Sequence, residues 1–192
     1  MNLPNKITMV RIFLIPLFLI IYFLRDFIGV NYIYLLGIIF LFAAITDFFD
    51  GYLARKNNLV TTFGKFIDPL ADKLLVITAL FVLTNIYAQA GFKLSFWMPF
   101  WVVLIIVIRE LLVTSIRLVV LGEGKVLAAS KLGKYKTFLT MTTIIYYFFI
   151  MPINNQIVNI IGIILVGISV FFTVLSGIDY FLKNKNIITK TI

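Results

Sequence analysis

The chain contains no cysteine and no histidine, and these two absences exclude several kinds of site. Without cysteine, it has neither a disulfide framework nor a thiolate site for a metal ion. Without histidine, it lacks the usual general base and the commonest ligand of transition metals. Proton transfer by side chains therefore falls to carboxylates, of which the 192 residues contain only eight.

Charged residues are also scarce, at 13% of the chain, whereas 62% of the residues are hydrophobic and the mean hydropathy is +1.09. A soluble domain is nearer half apolar, so the composition predicts an integral membrane protein. A membrane-spanning helix needs about 20 largely apolar residues. The sequence predicts an all-α bundle of six transmembrane helices with a cytoplasm-facing polar cavity, as a single domain over 1–192, with spans at 7–24, 32–54, 69–88, 96–121, 135–152 and 157–182.

Basic residues gather at one end of this predicted bundle, while the other end offers only Arg25 and Lys93. The positive-inside rule places the basic end in the cytoplasm. This agreement requires an even number of spans, and it predicts a multi-pass protein of the cell membrane with both termini cytoplasmic. The basic residues at the cytoplasmic end are Lys6, Arg55, Lys56, Lys65, Lys125, Lys131, Lys134, Lys136, Lys183, Lys185 and Lys190.

Four of the eight acidic residues lie within residues 47–72. Asp47 and Asp50 are three residues apart, and Asp68 and Asp72 are four apart. On helices, these spacings place each pair on one face. Four carboxylates directed together would repel one another unless cations lay among them, and oxygen ligands suit Mg²⁺ or Mn²⁺. The window therefore predicts a metal site, for two ions, near the cytoplasmic interface.

The same window contains the motif Asp-x-x-Asp-Gly-x-x-Ala-Arg, eight residues, Gly-x-x-x-Asp-x-x-x-Asp, formed by Asp47, Asp50, Gly51, Ala54, Arg55, Gly64, Asp68 and Asp72. A chance match is on the order of 10⁻¹⁰ per starting point, so unrelated helix-capping aspartates do not account for it. The motif resembles that of the CDP-alcohol phosphotransferases, which make phospholipids from CDP-activated donors. The resemblance implies that all four aspartates serve a two-metal site bridging the donor's pyrophosphate, and that the protein is a homodimer.

The resemblance also implies roles within the motif. Asp72 would be the general base that deprotonates the acceptor hydroxyl, which agrees with the absence of histidine. The motif residues that would bind CDP-diacylglycerol are Asp47, Gly51, Ala54, Arg55 and Gly64. Taken alone, Gly51 and Ala54 also suit close helix packing, and Arg55 suits an interfacial anchor. Pro69 is expected in the first turn of the third span, just after a turn at Gly64.

Basic residues further along the chain bear on the acceptor. Arg109 lies inside the otherwise apolar fourth span, and Arg117 follows eight residues later, about 80° around a helix. With Lys131, Lys134 and Lys136 at the start of the fifth span, they predict a pocket for a dianionic phosphate. Separately, Arg109 could pair with an aspartate or with Glu110 of a neighbouring helix. Arg117 could snorkel to the interface, and the lysines could be interfacial anchors.

Three stretches resemble the phosphatidylglycerophosphate synthases within this family: residues 2–11, Arg-Glu-x-x-x-Thr-Ser-x-Arg at 109–117, and Lys-Leu-Gly-Lys-x-Lys-Thr at 131–137. The resemblance implies transfer of a phosphatidyl group from CDP-diacylglycerol to sn-glycerol 3-phosphate. The acceptor would be bound by Arg109, Arg117, Lys131 and Lys134. Asn5 and Thr8 would lie near the nucleotide head, although both could equally cap the first helix.

Three alternatives remain open at this point. The first is the same chemistry with another acceptor, such as inositol phosphate or a phospholipid. The second is a small cation transporter, since aspartates within a membrane also mark ion paths. Transporter sites, however, lie near the midplane between repeats, whereas these acids crowd one interface. The third is a non-catalytic lipid-binding membrane protein, which would leave four regularly spaced carboxylates unexplained.

Overall fold

The computed structural model describes residues 3–56, 62–89, 98–122 and 131–191, with side chains for 8–46, 70–88, 98–117 and 131–185. The regular structure in these ranges is entirely helical, which confirms the all-α prediction. Its elements are α1 (Leu3–Phe23), α2 (Arg25–Ile28), a 3₁₀ turn (Gly29–Asn31), α3 (Tyr32–Lys56), α4 (Thr62–Gln89), α5 (Phe100–Gly122), α6 (Lys131–Phe149), a second 3₁₀ turn (Met151–Ile153) and α7 (Gln156–Thr191).

Within the described residues, four stretches are long and apolar enough to cross a membrane: Arg25–Thr46, Leu70–Ala88, Lys131–Ile153 and Gln156–Lys185. Thr8–Phe23 is a shorter apolar helix. Helix α5 carries three charged residues, Arg109, Glu110 and Arg117, within its first 18 positions. The chain is thus a membrane protein, and its crossing the membrane six times stays a prediction.

Helix α4 begins earlier than the sequence predicted. It starts at Thr62, so Gly64 lies in its first turn and Pro69 lies in its interior. The expectation of a first-turn proline is therefore wrong. Residues 62–68 continue the helix because they contain no breaker stronger than one glycine. Pro69 has no N–H, so the Lys65 carbonyl receives no helical hydrogen bond from that position.

The chain forms two compact units, and the first comprises Met1–Leu83 with Ile145–Ile153. In this unit α1 packs along α3. Its core contains the fully buried rings of Phe18, Phe40 and Phe148. The Phe148 ring centroid lies 5.9 Å from that of Phe18, edge to face, and 6.2 Å from that of Phe40. Such arrangements stabilise aromatic pairs beyond the area that they bury.

Gly37 on α3 allows the close approach of residues 148 and 149. A Cβ at this position would lie 2.8 Å from the Cβ of Phe148 and 2.9 Å from two ring atoms of Phe149. Phe148 is fully buried and cannot move aside. We therefore expect Gly37→Ala to lower the free energy of unfolding by about 1–3 kcal/mol through overpacking, measured by thermal or denaturant unfolding in detergent.

Gly167→Ala is the matched control for this substitution. Gly167 also lies within a long helix, but a Cβ there would meet nothing within 4 Å. Alanine is a better helix former than glycine, so this variant should be unchanged or slightly more stable. Equal stability losses in the two variants would show that the space at Gly37 has no special importance.

The second unit comprises Thr84–Ile144 with Asn154–Ile192, and in it α5 packs along α7. The start of α7 is capped by Asn155, whose side-chain oxygen accepts a hydrogen bond from the Ile157 N–H at 3.0 Å. One face of α7 carries five buried polar residues, which we call the α7 polar strip: Ser169, Thr173, Ser176, Tyr180 and Asn184. Their spacing of three or four residues keeps them on one side of the helix.

Candidate functional site

The structure places the two acidic pairs on consecutive helices, Asp47 and Asp50 on α3 and Asp68 and Asp72 on α4. The helical placement on which the metal-site prediction depends is therefore present. Asp50 lies six residues before the end of α3 at Lys56, and Asp68 lies six residues after the start of α4 at Thr62. Each is thus about 9 Å along its helix from the connection.

The side chains of Asp47, Asp50 and Asp68 lie outside the described side chains, so their mutual distances stay predictions. Asp72 is half-buried and has an interaction partner. Because three of the four acidic side chains are not among them, the described side chains contain no group of three or more potential metal ligands. As a donor set, four carboxylates fit a hard cation such as Mg²⁺ or Mn²⁺, which prefers oxygen ligands.

The residues predicted to bind the nucleotide lie on α3 and α4, the two helices that carry these acids, and on α1. Gly51, Ala54 and Arg55 follow Asp50 on α3, and Gly64 precedes Asp68 on α4. The side chains of these residues, and that of Asn5 on α1, are not among the described side chains. Thr8 is buried on α1, and Arg11, one turn later, is fully buried with an interaction partner. Sequence reasoning assigned no role to Arg11.

A buried cluster of charges joins the three helices of the second unit. Arg109 on α5 donates a hydrogen bond from Nη1 to Glu110 Oε1 at 3.1 Å and from Nη2 to Ser176 Oγ on α7 at 3.0 Å. Lys136 on α6 forms an ion pair with the same Glu110 oxygen. The stem of Arg109 lies close to the backbone of α7, since a Cβ at Gly177 would come within 3.3 Å of Arg109 Cγ.

This cluster shows which side chains contact Arg109, while its role in phosphate binding stays a prediction. The sequence allows an ion pair between Arg109 and Glu110 of a neighbouring helix. The structure contains this ion pair, but with the Glu110 that follows Arg109 on the same helix. Two cations share one carboxylate, so the cluster keeps one net positive charge. The side chains are 14%, 15% and 5% exposed for Arg109, Glu110 and Lys136. A buried excess of positive charge is costly unless an anion approaches it.

Glu110→Gln should therefore destabilise the second unit. The amide keeps the shape of the side chain but removes the charge, leaving Arg109 and Lys136 as mutually repelling buried cations. Loss of one partner from a buried ion pair costs about 3 kcal/mol or more. We expect a clear decrease in the thermal unfolding midpoint in detergent.

Asp179→Asn is the control for Glu110→Gln. Asp179 pairs with Lys183 at 2.7 Å, one turn along α7, and the lysine side chain is 64% exposed. Exposed pairs of this spacing contribute only about 0.3–0.5 kcal/mol. A decrease no larger for Glu110→Gln than for Asp179→Asn would contradict the importance of the buried cluster.

The other predicted phosphate-binding residues are arranged differently from Arg109. Arg117, Lys131 and Lys134 are exposed, and none makes an ion pair with any carboxylate in the described part of the chain. On α6, Lys134 is two positions from the buried Lys136 and so lies about 160° around the helix from it. The structure therefore brings Lys136 close to Arg109 through Glu110, while Lys131 and Lys134 lie on another face with no carboxylate partner among the described residues.

The sequence alone assigns no role to residues of α7, and the structure shows that several of them contact the basic side chains of α5 or the polar side chains of α6. Ser176 binds Arg109, and the Ser169 hydroxyl lies 3.0 Å from that of Thr140 on α6. The ring of Tyr180 lies beneath Arg117, whose guanidinium carbon is 5.5 Å from the ring centroid. The available signal was the regular recurrence of polar residues within an apolar helix, because polar groups in a membrane need partners inside the protein.

An apolar groove of about 610 Å³ also runs between α5 and α7. Apart from Arg109, its lining is aliphatic and aromatic, with Ile105, Leu112, Ile178 and Phe181 among its residues. Such a wall offers few donors to a phosphate or a nucleotide, so polar ligands do not suit it. It suits hydrocarbon.

Comparison with known proteins finds relatives over nearly the whole chain. Relatives named CDP-diacylglycerol–glycerol-3-phosphate 3-phosphatidyltransferase include one from Bacillus subtilis, 44% identical and covering 95% of each chain. Another, from Rickettsia typhi, is 36% identical over 94% of this chain and 95% of its own. A third, from Wigglesworthia glossinidia brevipalpis, is 34% identical over 94% and 93%. Residues 1–175 match the CDP-alcohol phosphatidyltransferases, and the chain belongs to this family of enzymes.

Proposed function

We propose that this enzyme transfers the phosphatidyl group of CDP-diacylglycerol to sn-glycerol 3-phosphate, giving phosphatidylglycerol phosphate and CMP. The names of the relatives support this choice of donor and acceptor. Because the family consists of enzymes, the transporter and the non-catalytic lipid-binding protein are no longer competing interpretations. Other phosphorylated acceptors are the remaining competitor.

The observation that carries the choice of acceptor is the surplus of positive charge in the second unit. Arg109, Lys136 and Glu110 together keep one positive charge. Arg117, Lys131 and Lys134 are not neutralised by any described carboxylate. An acceptor without net negative charge, such as serine or inositol, would leave the positive charge in excess, whereas a phosphate dianion offers the cations several oxygen acceptors. We assign Arg109, Arg117, Lys131 and Lys134 to the acceptor's phosphate.

The aspartates carry the chemistry in this proposal. Asp72 accepts the proton of the acceptor's hydroxyl, whose oxygen then forms a bond to the diacylglycerol-bearing phosphorus. The bond from that phosphorus to the CMP oxygen breaks, and CMP leaves. Asp47, Asp50, Asp68 and Asp72 would hold two Mg²⁺ or Mn²⁺ ions, which supply charge stabilisation to the pyrophosphate when bound.

The donor site and the membrane setting complete the proposal. Residues assigned to CDP-diacylglycerol are Asn5, Thr8, Asp47, Gly51, Ala54, Arg55 and Gly64. The protein would act as a homodimer in the cell membrane, as one domain with six spans and with both termini in the cytoplasm. The four acids then lie near the cytoplasmic interface, at a polar cavity, where a donor anchored by two acyl chains presents its nucleotide.

An acceptor panel tests this function. Purified protein receives CDP-diacylglycerol and Mg²⁺ or Mn²⁺, and CMP release is followed with sn-glycerol 3-phosphate, glycerol, serine, inositol and inositol phosphate. We expect turnover with sn-glycerol 3-phosphate and very little with glycerol, which has no phosphate to neutralise buried cations. Equal rates with glycerol or inositol would show that no phosphate pocket exists. A preference for inositol phosphate would keep the pocket and change the acceptor.

Arg117→Lys tests the contribution of one cation to this pocket. Lysine keeps the charge but cannot present the planar fork of a guanidinium to two phosphate oxygens. We expect the KM for sn-glycerol 3-phosphate to rise about tenfold or more, with the KM for CDP-diacylglycerol little changed. Arg25→Lys is the matched control, because Arg25 also covers a tyrosine ring, that of Tyr22 at 4.9 Å. A similar effect in both variants would contradict a specific role for Arg117.

A further inference from the structure

Tyr180 on α7 has a buried hydroxyl group without a hydrogen-bond partner among the described residues. The residue is 3% exposed, so its hydroxyl is shielded from bulk solvent. Buried tyrosine hydroxyls are normally paired, because an unsatisfied polar group opposes folding. A buried tyrosine hydroxyl without a partner therefore needs an explanation. One explanation is a ligand that accepts its hydrogen bond and is bound only during function.

The surroundings of Tyr180 favour an anion as that ligand. The guanidinium carbon of Arg117 lies 5.5 Å from the ring centroid, within the range of a cation–π contact. Contact with a ring face leaves the N–H donors of Arg117 available, and no described carboxylate takes them. The nearest acid in sequence, Asp179, is bound to Lys183. The Tyr180 hydroxyl is attached to the edge of the ring whose face Arg117 covers. A single ligand with several acceptor oxygens can therefore accept hydrogen bonds from both the hydroxyl and the guanidinium.

We propose that the Tyr180 hydroxyl donates a hydrogen bond to the phosphate group that Arg117 binds, so that α7 supplies part of the anion site. This inference rests on the proposed function and extends it to a residue outside the sequence motifs. The ring of Tyr180 holds Arg117 in place, and its hydroxyl contacts the ligand. Asn184 supports the position of Tyr180 by donating a hydrogen bond to its backbone carbonyl at 2.7 Å.

Tyr180→Phe separates these two contributions, because phenylalanine keeps the ring beneath Arg117 and removes only the hydroxyl. We expect the KM for sn-glycerol 3-phosphate to rise about tenfold, the usual scale for a lost hydrogen bond to a charged group. The KM for CDP-diacylglycerol should not change. The thermal midpoint without ligand should be unchanged or higher, because the variant no longer buries an unpaired hydroxyl. A purely structural role would instead lower the midpoint.

Tyr147→Phe serves as the matched control, since Tyr147 is also fully buried but has an interaction partner. It should leave the KM for sn-glycerol 3-phosphate unchanged. If the KM for sn-glycerol 3-phosphate is the same in Tyr180→Phe as in the wild type, the inference is overturned while the proposed function stands. If both tyrosine variants raise the acceptor KM equally, the effect is not specific to Tyr180 and the inference is again overturned.

A second measurement keeps the inference testable if the wild type does not use sn-glycerol 3-phosphate, the outcome that defeats the proposed function. Inorganic phosphate is then titrated while the thermal midpoint is followed, since a ligand that binds the folded state raises it. A smaller increase for Tyr180→Phe than for the wild type and Tyr147→Phe supports the hydroxyl as a phosphate ligand. If phosphate raises the thermal midpoint equally in all three proteins, or in none of them, the inference is overturned.

Discussion

Replacing Asp47, Asp50, Asp68 or Asp72 with alanine is expected to lower turnover by at least about 10²–10³-fold in each case. The four carboxylates stand at helical spacing, three apart on α3 and four apart on α4. A divalent cation stabilises the charge that develops on a transferring phosphoryl group by several kcal/mol, and each 1.4 kcal/mol is tenfold in rate. CMP release from CDP-diacylglycerol measures the effect, with thermal unfolding to confirm that each variant is folded.

Asp26→Ala is the control for this series, because Asp26 has an 85% exposed side chain and, among the described residues, a single long ion-pair contact of 3.9 Å with Arg25. It should retain full turnover. EDTA should abolish the activity of the wild type, and added Mg²⁺ or Mn²⁺ should restore it. Normal CMP release after chelation would contradict the metal-dependent mechanism, and an Asp26→Ala variant as inactive as the others would show that acid removal acts non-specifically.

Asp72→Asn has the second largest expected effect, and it separates proton transfer from metal binding. Asparagine has the same shape and keeps one acceptor oxygen, but it cannot take up the proton of the acceptor hydroxyl. General base catalysis usually contributes 10²–10⁴-fold, so we expect turnover to fall by about 10²-fold or more. Donor binding, followed with CDP-diacylglycerol in the presence of the metal, should remain measurable because three carboxylates and the amide oxygen of the new asparagine remain to hold the two ions.

Asp68→Asn provides the comparison, since Asp68 precedes Asp72 by one turn of α4 and is assigned to the metal alone. It should weaken metal binding more than Asp72→Asn does. If Asp72→Asn instead loses donor binding together with metal occupancy, Asp72 is mainly a ligand, and another group must accept the proton. The half-buried position of its side chain is compatible with contact to both a cation and a substrate hydroxyl.

Much of this protein could be predicted from its sequence because the relevant signals are local. Long apolar runs predict helices in a membrane, since only internally hydrogen-bonded structures are stable there. The spacing of Asp47 to Asp50 and of Asp68 to Asp72 predicts their helical faces without knowledge of any contact. The start of α4 was misjudged because hydropathy detects where a helix becomes apolar, whereas the helix itself begins seven residues before 69, at Thr62.

Only the tertiary structure decided which partners the basic side chains contact. Arg109 and Arg117 look alike in the sequence, yet Arg109 is bound by Glu110 and Ser176 whereas Arg117 rests on the ring of Tyr180. Likewise, Lys136 rather than Lys134 reaches the buried carboxylate. These outcomes depend on which faces of α5, α6 and α7 pack together, and side-chain partners distant in sequence follow from that packing. A pairing across 67 residues, such as Arg109 with Ser176, leaves no local pattern from which it could be read.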